Sequence, residues 1–282
     1  NEAISVLSNP KEKVRVLAGG TDLFVHMKKG LDQPSLLLDI KSISELNHIS
    51  ISQNRELILG AGVTLAALEQ WARMEKNWTG LSLAAASIGS EQVRNRATVV
   101  GNVCRASPAG DMIPMLIVLD AKVEIHGPEG KRSVLVENVL TGPGQTALTK
   151  GEMVVSLKIP EPQFTGTAYL KHSIRRAMEI AVVAVAARIT LDNSSQKIGC
   201  ARIVLGAVAP TPIRIPEAEI ILIEKGVNAE VLEKISELAT NRAKPISDLR
   251  GTKNYRSEMV GVLIKRAVKQ AWKNVMKRES VL

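Results

Sequence analysis

The chain has 282 residues, a formal net charge of +9 and two cysteines. Its length exceeds what a single minimal core needs and fits two or three small domains. Two cysteines exclude a disulfide framework and a zinc site built by this chain alone. They also exclude an iron–sulfur cluster, which needs about four thiolates.

The sequence shows no signal peptide and no run of about 18 apolar residues. We therefore expect a cytoplasmic protein without membrane insertion. The chain begins at Asn1 and already has a helical pattern from residue 2 to residue 7, so we also expect that a short segment precedes it.

The positive charge fits a nucleic acid, a membrane surface, an anionic cofactor or an acidic partner. Aromatic residues make up only 2% of the chain, which leaves almost no surface on which bases could stack. The densest basic stretch, residues 265 to 278, carries apolar residues between its charges and predicts a solvated helix face. We expect no nucleic-acid partner and assign the charge to an anionic cofactor and to acidic partner surfaces.

Short strands and helices alternate in the first part of the chain. Strands are predicted at residues 14–17, 36–40 and 57–59, and helices at 2–7, 23–29 and 65–74. Gly30 is placed to end the second helix, and Thr64 is placed to cap the third.

The middle of the chain predicts a helix at 81–88, then a long irregular segment at 89–110, then a helix at 112–119 and strands at 122–126, 133–136 and 153–159. A loop as long as 89–110 is usually functional. The pattern changes around residues 160–166, where we place a boundary. Beyond it the sequence predicts strands at 182–191 and 201–208 and helices at 229–242 and 255–277, an α+β arrangement.

The segment Leu17-Ala18-Gly19-Gly20-Thr21-Asp22 carries the first chemical signal. A strand that runs into a Gly-Gly turn and a helix N-terminus is typical of an anion site, because glycine lets backbone N–H groups approach the ligand. A tight turn with Thr21 or Asp22 as helix cap is an equally good interpretation of this segment alone.

The segment from Ile88 to Asp111 carries the second signal. It offers backbone donors around Gly101, amide and hydroxyl side chains, three arginines and a carboxylate. This set suits a nucleotide cofactor, although a structural loop whose polar groups satisfy one another is the alternative. The segment from Lys171 to Ala181 reads by itself as a charged surface turn before a strand.

Taken in this order, the three segments resemble the FAD-binding subunits of molybdenum hydroxylases, a family that includes xanthine, carbon monoxide and nicotinate dehydrogenases. The AGGTD-like loop is matched by residues 18–22, the IRNxATxGGN and ASPxxD patterns by 93–102 and 106–111, and the KxxxRRxxDIA pattern by 171–181. The resemblance runs from residue 2 to about residue 278. Segments 140–144 and 209–214 look most like bacterial xanthine dehydrogenase flavin subunits.

The resemblance implies an α+β fold: a vanillyl-alcohol-oxidase (PCMH-type) FAD domain of two α+β subdomains, then a CO-dehydrogenase-flavoprotein-type C-terminal domain with an antiparallel sheet and helices. We expect the subdomains at residues 1–56 and 57–163 and the C-terminal domain at 164–282.

The resemblance also implies site residues. By analogy with the family, Arg15 to Asp22 are expected to wrap the pyrophosphate and Thr98 to Asn102 to surround the phosphates and flavin. Asp111 is expected to hold a ribose. Val154 contacts the cofactor, and Lys171 lies near the isoalloxazine. The residues expected to bind FAD are Arg15, Val16, Leu17, Ala18, Gly19, Gly20, Thr21, Asp22, Thr98, Val99, Val100, Gly101, Asn102, Ser107, Asp111, Val154 and Lys171. No residue is expected to bind a metal or to act as a catalytic group, since the flavin itself does the chemistry.

The sequence departs from the family pattern at two positions. Val100 replaces the usual first glycine of Gly-Gly-Asn, and we expect an extended backbone there because valine avoids positive φ. Glu179 replaces the usual aspartate. The four-cysteine insertion of 4-hydroxybenzoyl-CoA reductase flavin subunits is not in the sequence, which argues against that type.

The implied function is electron relay. A molybdopterin large subunit oxidises an aromatic heterocycle such as a purine, a small subunit with [2Fe-2S] clusters passes the electrons on, and FAD on this chain delivers them to NAD or another acceptor. A higher oligomer of such heterotrimers is expected. The alternatives are a flavin subunit of nicotinate or carbon monoxide dehydrogenase, a scaffold subunit that has lost its flavin, for which Val100 is the only support, and last a nucleic-acid binder.

Overall fold

A computed structural model describes residues 2–175, 177–192 and 197–279. Helices combine with mostly antiparallel sheets in these residues, as the predicted α+β class requires. None of the helices in these ranges has both the length and the apolarity needed to span a membrane.

The first part of the chain is a small unit built on one parallel strand pair. It consists of α1 (Glu2–Leu7), β1 (Val14–Leu17), α2 (Leu23–Lys28) and β2 (Leu36–Asp39). Strands β1 and β2 pair in parallel from Val14 opposite Leu36, and the Ile40 amide extends the pairing by donating to the Leu17 carbonyl at 3.1 Å. The parallel pairing directs the chain after β1 over the unit as a turn and a helix.

A five-stranded antiparallel sheet forms the middle of the molecule. Its strands are β3 (Ile49–Ile51), β4 (Leu57–Gly60), β5 (Lys122–Gly127), β6 (Gly130–Leu135) and β9 (Met153–Ile159). The spatial order is β3-β4-β9-β5-β6, so the last strand in sequence lies in the centre. Strand β9 is apolar and buried on both faces, as expected for a central strand.

Helices cover this sheet. They are α3 (Leu65–Met74), α4 (Thr79–Ala86), α5 (Glu91–Arg94), α6 (Val99–Arg105), α7 (Met112–Val118) and α8 (Val136–Val139), with a small hairpin of β7 (Leu140–Gly142) and β8 (Gln145–Thr146). Every residue of α7 is buried, because this helix packs against helices α4, α6 and α8 and against strands β11 and β12 of the third part.

The third part is an antiparallel sheet with helices on one face. Its elements are β10 (Thr165–His172), β11 (Val183–Leu191), β12 (Ile198–Gly206), β13 (Ile213–Arg214), α9 (Pro216–Lys225), α10 (Ala229–Arg242) and α11 (Lys253–Glu279). Helix α11 packs on β10 at Gly166, where a Cβ atom would lie 2.0 Å from the Ala271 carbonyl oxygen.

Two cores result, and they meet between the middle and third parts. The first core includes Tyr169, Ala184 and Val204 from the third sheet, whereas the second core is formed by the opposite face of that sheet and helices α9 to α11. The expected boundaries near residues 56 and 163 stay predictions.

Most predicted elements are present, but the predictions failed in several places. Residues 89–110 are not an irregular loop, since they contain α5 and α6, which are too short to show helical periodicity. Strand β10 begins before the segment taken as a surface turn and extends to His172, and its first five residues are buried in succession, so they show no alternation. Helix α9 was missed because its apolar residues do not form one clear face. Arg176 of the predicted third motif lies outside the described residues.

Candidate functional site

A cleft of about 1450 Å³ lies between the first unit and the middle sheet. It exceeds the roughly 300–1,000 Å³ of pockets for drug-sized ligands and has room for a larger one. The predicted site residues that line it are Arg15, Val16, Ala18, Gly19, Gly20, Thr21, Asp22, Thr98, Val100, Gly101, Asn102 and Val154. The structure therefore brings together most of the residues selected from three distant segments.

Two glycine turns, the first at residues 18–22 and the second at residues 96–102, touch each other through their backbones at Gly19. A Cβ atom on Gly19 would lie 2.1 Å from the Arg96 carbonyl oxygen and 2.8 Å from the Ala97 Cα. No side chain fits there without backbone movement. Gly20 has φ +74°, a left-handed conformation that glycine adopts without strain. The first turn thus requires both of its glycines, one for space and one for conformation.

The second turn is fixed to the start of α3. The Leu65 amide donates to the Ala97 carbonyl at 2.8 Å, and the Val99 amide donates to the Val63 carbonyl at 3.1 Å. These two hydrogen bonds form an isolated antiparallel bridge between Thr64 and Thr98. The Thr98 hydroxyl then caps α6 by accepting from the Gly101 amide at 3.0 Å.

Backbone donors without partners line the cleft. In the described ranges, no protein atom accepts a hydrogen bond from the amides of Gly19, Gly20, Thr21 or Val100. Gly19, Gly20 and Thr21 are half-buried and Val100 is buried, so an acceptor-rich ligand in the cleft would supply the partners that these amides lack. Amides from two turns that face one space are suited to bind phosphate oxygens.

Family models match both parts of the chain. The model for the FAD binding domain in molybdopterin dehydrogenase matches residues 1–162, and the model for the CO dehydrogenase flavoprotein C-terminal domain matches residues 168–271. The chain belongs to the family of FAD-binding subunits of molybdenum hydroxylases. The predicted family, its α+β fold and FAD as the cofactor are confirmed, and the chain is a subunit of an oxidoreductase.

Several relatives are similar over nearly the full length. The chain is 33% identical to the xanthine dehydrogenase FAD-binding subunit of Escherichia coli O157:H7, with 96% of this chain and 92% of the relative covered. It is 32% identical to the carbon monoxide dehydrogenase medium chain of Afipia carboxidovorans, with 96% and 93% covered. A solved structure of carbon monoxide dehydrogenase from Hydrogenophaga pseudoflava superimposes with a TM-score of 0.91 at 30% identity, covering 97% of this chain and 94% of that chain.

Val100 of this FAD-binding subunit differs from its expected conformation. An extended backbone was predicted, but Val100 lies in the first turn of α6 and its side chain is buried. The prediction was wrong because valine needs only a negative φ, which the α-helix also provides. Val100 lines the cleft and its amide has no acceptor among the described residues, so the valine no longer supports a scaffold that has lost its flavin.

Two cations share one carboxylate at the edge of the cleft. Arg15 and Lys13 both pair with Asp32, at 2.6 and 2.8 Å. Hydrogen bonds from the Lys13 and Arg15 side chains lower the pKa of Asp32 and keep it ionised. Asp32 carries one negative charge against two cations, so it positions Arg15 at the cleft and offsets only part of the positive charge there.

Asp111, Lys171 and Ser107 do not line the cleft. Asp111 is buried, accepts from the Tyr169 hydroxyl at 2.7 Å and pairs with the Lys171 ammonium at 2.9 Å. Burial raises the pKa of Asp111, although Lys171 and Tyr169 act in the opposite direction. The Ser107 hydroxyl accepts from the Ala109 amide at 3.3 Å. Leu17 and Val99 are buried behind the lining. FAD contacts for these five residues stay predictions.

Lys171 lines a second, smaller cavity of about 350 Å³. Its ammonium also donates to the Ser87 carbonyl at 3.0 Å. Ser87 lines this cavity, whereas its neighbour Ile88 lines the cleft. The cleft and the smaller cavity therefore lie next to each other, with neighbouring residues of the chain lining one each.

Sequence reasoning missed cleft residues on α2 and around the β7–β8 hairpin. His26, Arg105 and Gly144 line the cleft, and none of them was selected individually. Arg105 lies between two of the family motifs, and segment 140–144 was used only to choose among family members. The positive charge of Arg105, between these two motifs, was the one signal that could have identified this side of the cleft.

Proposed function

We propose that this chain binds FAD in the cleft, receives electrons from a [2Fe-2S] small subunit and passes them to NAD or another acceptor. In the proposed complex a molybdopterin large subunit oxidises a purine or a related aromatic heterocycle, and several heterotrimers assemble. One observation carries the proposal: the backbone of Gly19 lies against Arg96 and Ala97, so that residues with unpaired amides from both turns line one cleft.

The donors of the cleft fit a dinucleotide diphosphate. Amides of Gly19, Gly20 and Thr21 come from the first unit, and that of Val100 comes from the middle part. A diphosphate offers acceptor oxygens to both sets at once. Because neither set is complete alone, cofactor binding depends on both halves of the FAD domain.

Apolar side chains supply the rest of the site. Val100 and Val154 are both buried and line the cleft, the latter from central strand β9. When bound, FAD supplies one- and two-electron redox chemistry. The chain holds it, excludes water with these valines and fixes the second turn through the Thr98 cap.

Ser107, Asp111 and Lys171 remain proposed contacts of FAD. Lys171 and Asp111 form a buried pair, and the Lys171 cavity begins one residue from the Ile88 that lines the cleft. This adjacency supports a role for the pair at one end of the cofactor. The assignment of Asp111 to a ribose and of Lys171 to the isoalloxazine comes from the family resemblance.

The names of the relatives support the proposed partners and substrate. Relatives from Sulfolobus acidocaldarius and Paenarthrobacter nicotinovorans are called a medium chain and a medium subunit, terms that imply partner subunits. Two relatives are named for purine oxidation, a xanthine dehydrogenase FAD-binding subunit and caffeine dehydrogenase subunit beta. Others are named for carbon monoxide, glyceraldehyde or nicotine, so a purine substrate is a separate and more specific proposal than FAD binding.

Anaerobic reduction of the purified complex, followed by visible absorbance, tests the proposal. We expect a flavin band that bleaches with xanthine and, separately, with NADH. A complex without flavin absorbance would contradict FAD binding and favour the scaffold alternative. Bleaching by another substrate, such as carbon monoxide or a pyridine, would overturn the purine assignment while leaving FAD binding intact. Bleaching by xanthine but not by NADH would direct the electrons to a different acceptor.

A further inference from the structure

Arg105 is a half-buried cation of the cleft that has no counter-ion. It is the last residue of α6 and lines the cleft. In the parts of the chain that the structure describes, no carboxylate lies within 4.0 Å of its guanidinium. By contrast, Arg15 pairs with Asp32 at 2.6 Å. Lys11 and Lys150 also line the cleft, but they are exposed, so water screens their charges.

Two neighbours position the guanidinium without neutralising it. One Arg105 nitrogen lies 3.1 Å from Nε2 of His26, which is on α2. Arginine only donates, so Nε2 is the acceptor in this contact. On the other side, a Cβ atom on Gly144 would lie 3.2 Å from Nη1 of Arg105, and the Gly144 amide donates to the Ala106 carbonyl at 2.9 Å. The cation is held between the two halves of the FAD domain.

The position of Arg105 complements the unpaired amides. Residues 100 and 105 are on the same short helix, so their Cα atoms are about 7.5 Å apart along its axis. His26 is on the helix that follows Gly19, Gly20 and Thr21. Amides supply directed donors but no net charge, whereas a guanidinium supplies charge and a planar pair of donors. A half-buried cation without a counter-ion is a favourable site for an anionic ligand.

We infer that Arg105, oriented by His26, binds the diphosphate of the flavin dinucleotide and supplies the positive charge that the glycine turns lack. This inference rests on the proposed binding of FAD in this cleft. Arg15, which was expected to bind the pyrophosphate, is exposed and shares Asp32 with Lys13, whereas Arg105 is half-buried and pairs with no carboxylate of the described residues.

Titration of the full chain with FAD, ADP and riboflavin tests the assignment. FAD and ADP contain the diphosphate, and riboflavin does not. We expect Arg105→Gln to weaken FAD and ADP binding about 10- to 100-fold, the effect of losing a charged hydrogen bond, and to leave riboflavin binding within about twofold. Arg105→Lys keeps the charge but loses the planar pair, so an intermediate loss is expected for FAD and ADP. Arg73→Gln, at an exposed arginine of α3, is the matched control and should change none of the three affinities.

The outcomes separate this inference from the proposed function. If the unmodified chain does not bind FAD saturably, the proposed function fails. If it binds FAD and Arg105→Gln stays within about threefold, only the role of Arg105 is overturned. Equal weakening of riboflavin and FAD would also overturn it, because it would place the guanidinium at the flavin or in the structure. A loss of folding in both Arg105→Gln and Arg105→Lys would count against it for the same reason.

Discussion

At the scale of single residues, Gly19 decides whether the two turns can meet. Its missing side chain allows the first turn to touch the backbone at Arg96 and Ala97. Backbone atoms cannot rotate away as a flexible side chain could, so an added methyl group must move a whole turn. The Gly-Gly pair was predicted from the sequence as a close approach to a ligand, but its closest contact within the protein is the second turn.

Gly19→Ala is expected to open the cleft. The methyl group would lie 2.1 Å from a carbonyl oxygen, and relief of this clash should lower the free energy of unfolding by about 1–3 kcal/mol. FAD affinity should fall at least about tenfold, because the two sets of amides separate. The matched control is Gly199→Ala in β12, where the nearest atom is 3.4 Å away and the cost should stay within about 0.5 kcal/mol. Urea unfolding and FAD titration measure both effects, and equal behaviour of the two variants would contradict this role of Gly19.

Val100 shows where sequence reasoning about single residues stops. Valine at a usual glycine position correctly excluded a positive φ, but two conformations satisfy that condition. The choice between strand and helix depended on Thr98, whose hydroxyl caps α6 two residues before Val100. A cap followed by only seven helical residues gives too short a pattern to recognise in the sequence.

At the scale of elements, α6 depends on its cap. Helices this short have little stability of their own, so the Thr98 hydroxyl and the bridge to α3 hold the helix in place. Helix α3 begins in the same way, with the Thr64 hydroxyl accepting from the Ala67 amide at 3.2 Å. Thr64 does not line the cleft, so the chain contains two similar caps of which one, Thr98, lies at the cleft.

Thr98→Ala and Thr64→Ala should therefore separate stability from binding. Each loses a helix cap and is expected to lower the free energy of unfolding by about 1 kcal/mol. Only Thr98→Ala should weaken FAD binding, by about fivefold or more, because the second turn loses its fixed shape. Thermal unfolding gives the first quantity and flavin fluorescence gives the second. The interpretation fails if Thr64→Ala weakens FAD binding as much as Thr98→Ala.

At the scale of the whole molecule, Asp111 and Lys171 connect the FAD domain to the third part. Asp111 directly precedes α7, Lys171 belongs to β10, and their side chains are 9% and 10% exposed. The sequence predicted both residues as cofactor contacts through the family resemblance. It could not predict their pairing, since two residues sixty positions apart meet only when the third sheet has packed on α7.

Lys171→Met is expected to destabilise the protein by about 3–5 kcal/mol near neutral pH, because it leaves a buried carboxylate without its cation. The pKa of Asp111, already raised by burial, should rise further. The pKa of Asp111 in the folded variant then lies above its value in the unfolded chain. The loss of stability is therefore complete at a pH above the folded-state pKa, and it disappears as the pH falls to the ordinary value near 3.8. Urea unfolding at pH 7 and pH 5 should therefore show a smaller deficit at the lower pH.

The double variant Asp111→Asn with Lys171→Met is the control for this prediction. It removes both charges, so part of the lost stability should return and the deficit should depend less on pH. Equal deficits in the single and double variants, at both pH values, would show that packing rather than charge accounts for the loss.

The central position of β9 sets the order in which this protein can mature. Residues 153–159 join β4 to β5, which are about sixty residues apart in sequence, and Val154 also faces the cleft. A nascent polypeptide that has left the ribosome only as far as residue 152 already carries both glycine turns, but the strand that joins β4 to β5 is still missing. We therefore expect flavin loading to be a late step of biogenesis, so that the emerging chain has to persist without its cofactor until this strand has been translated.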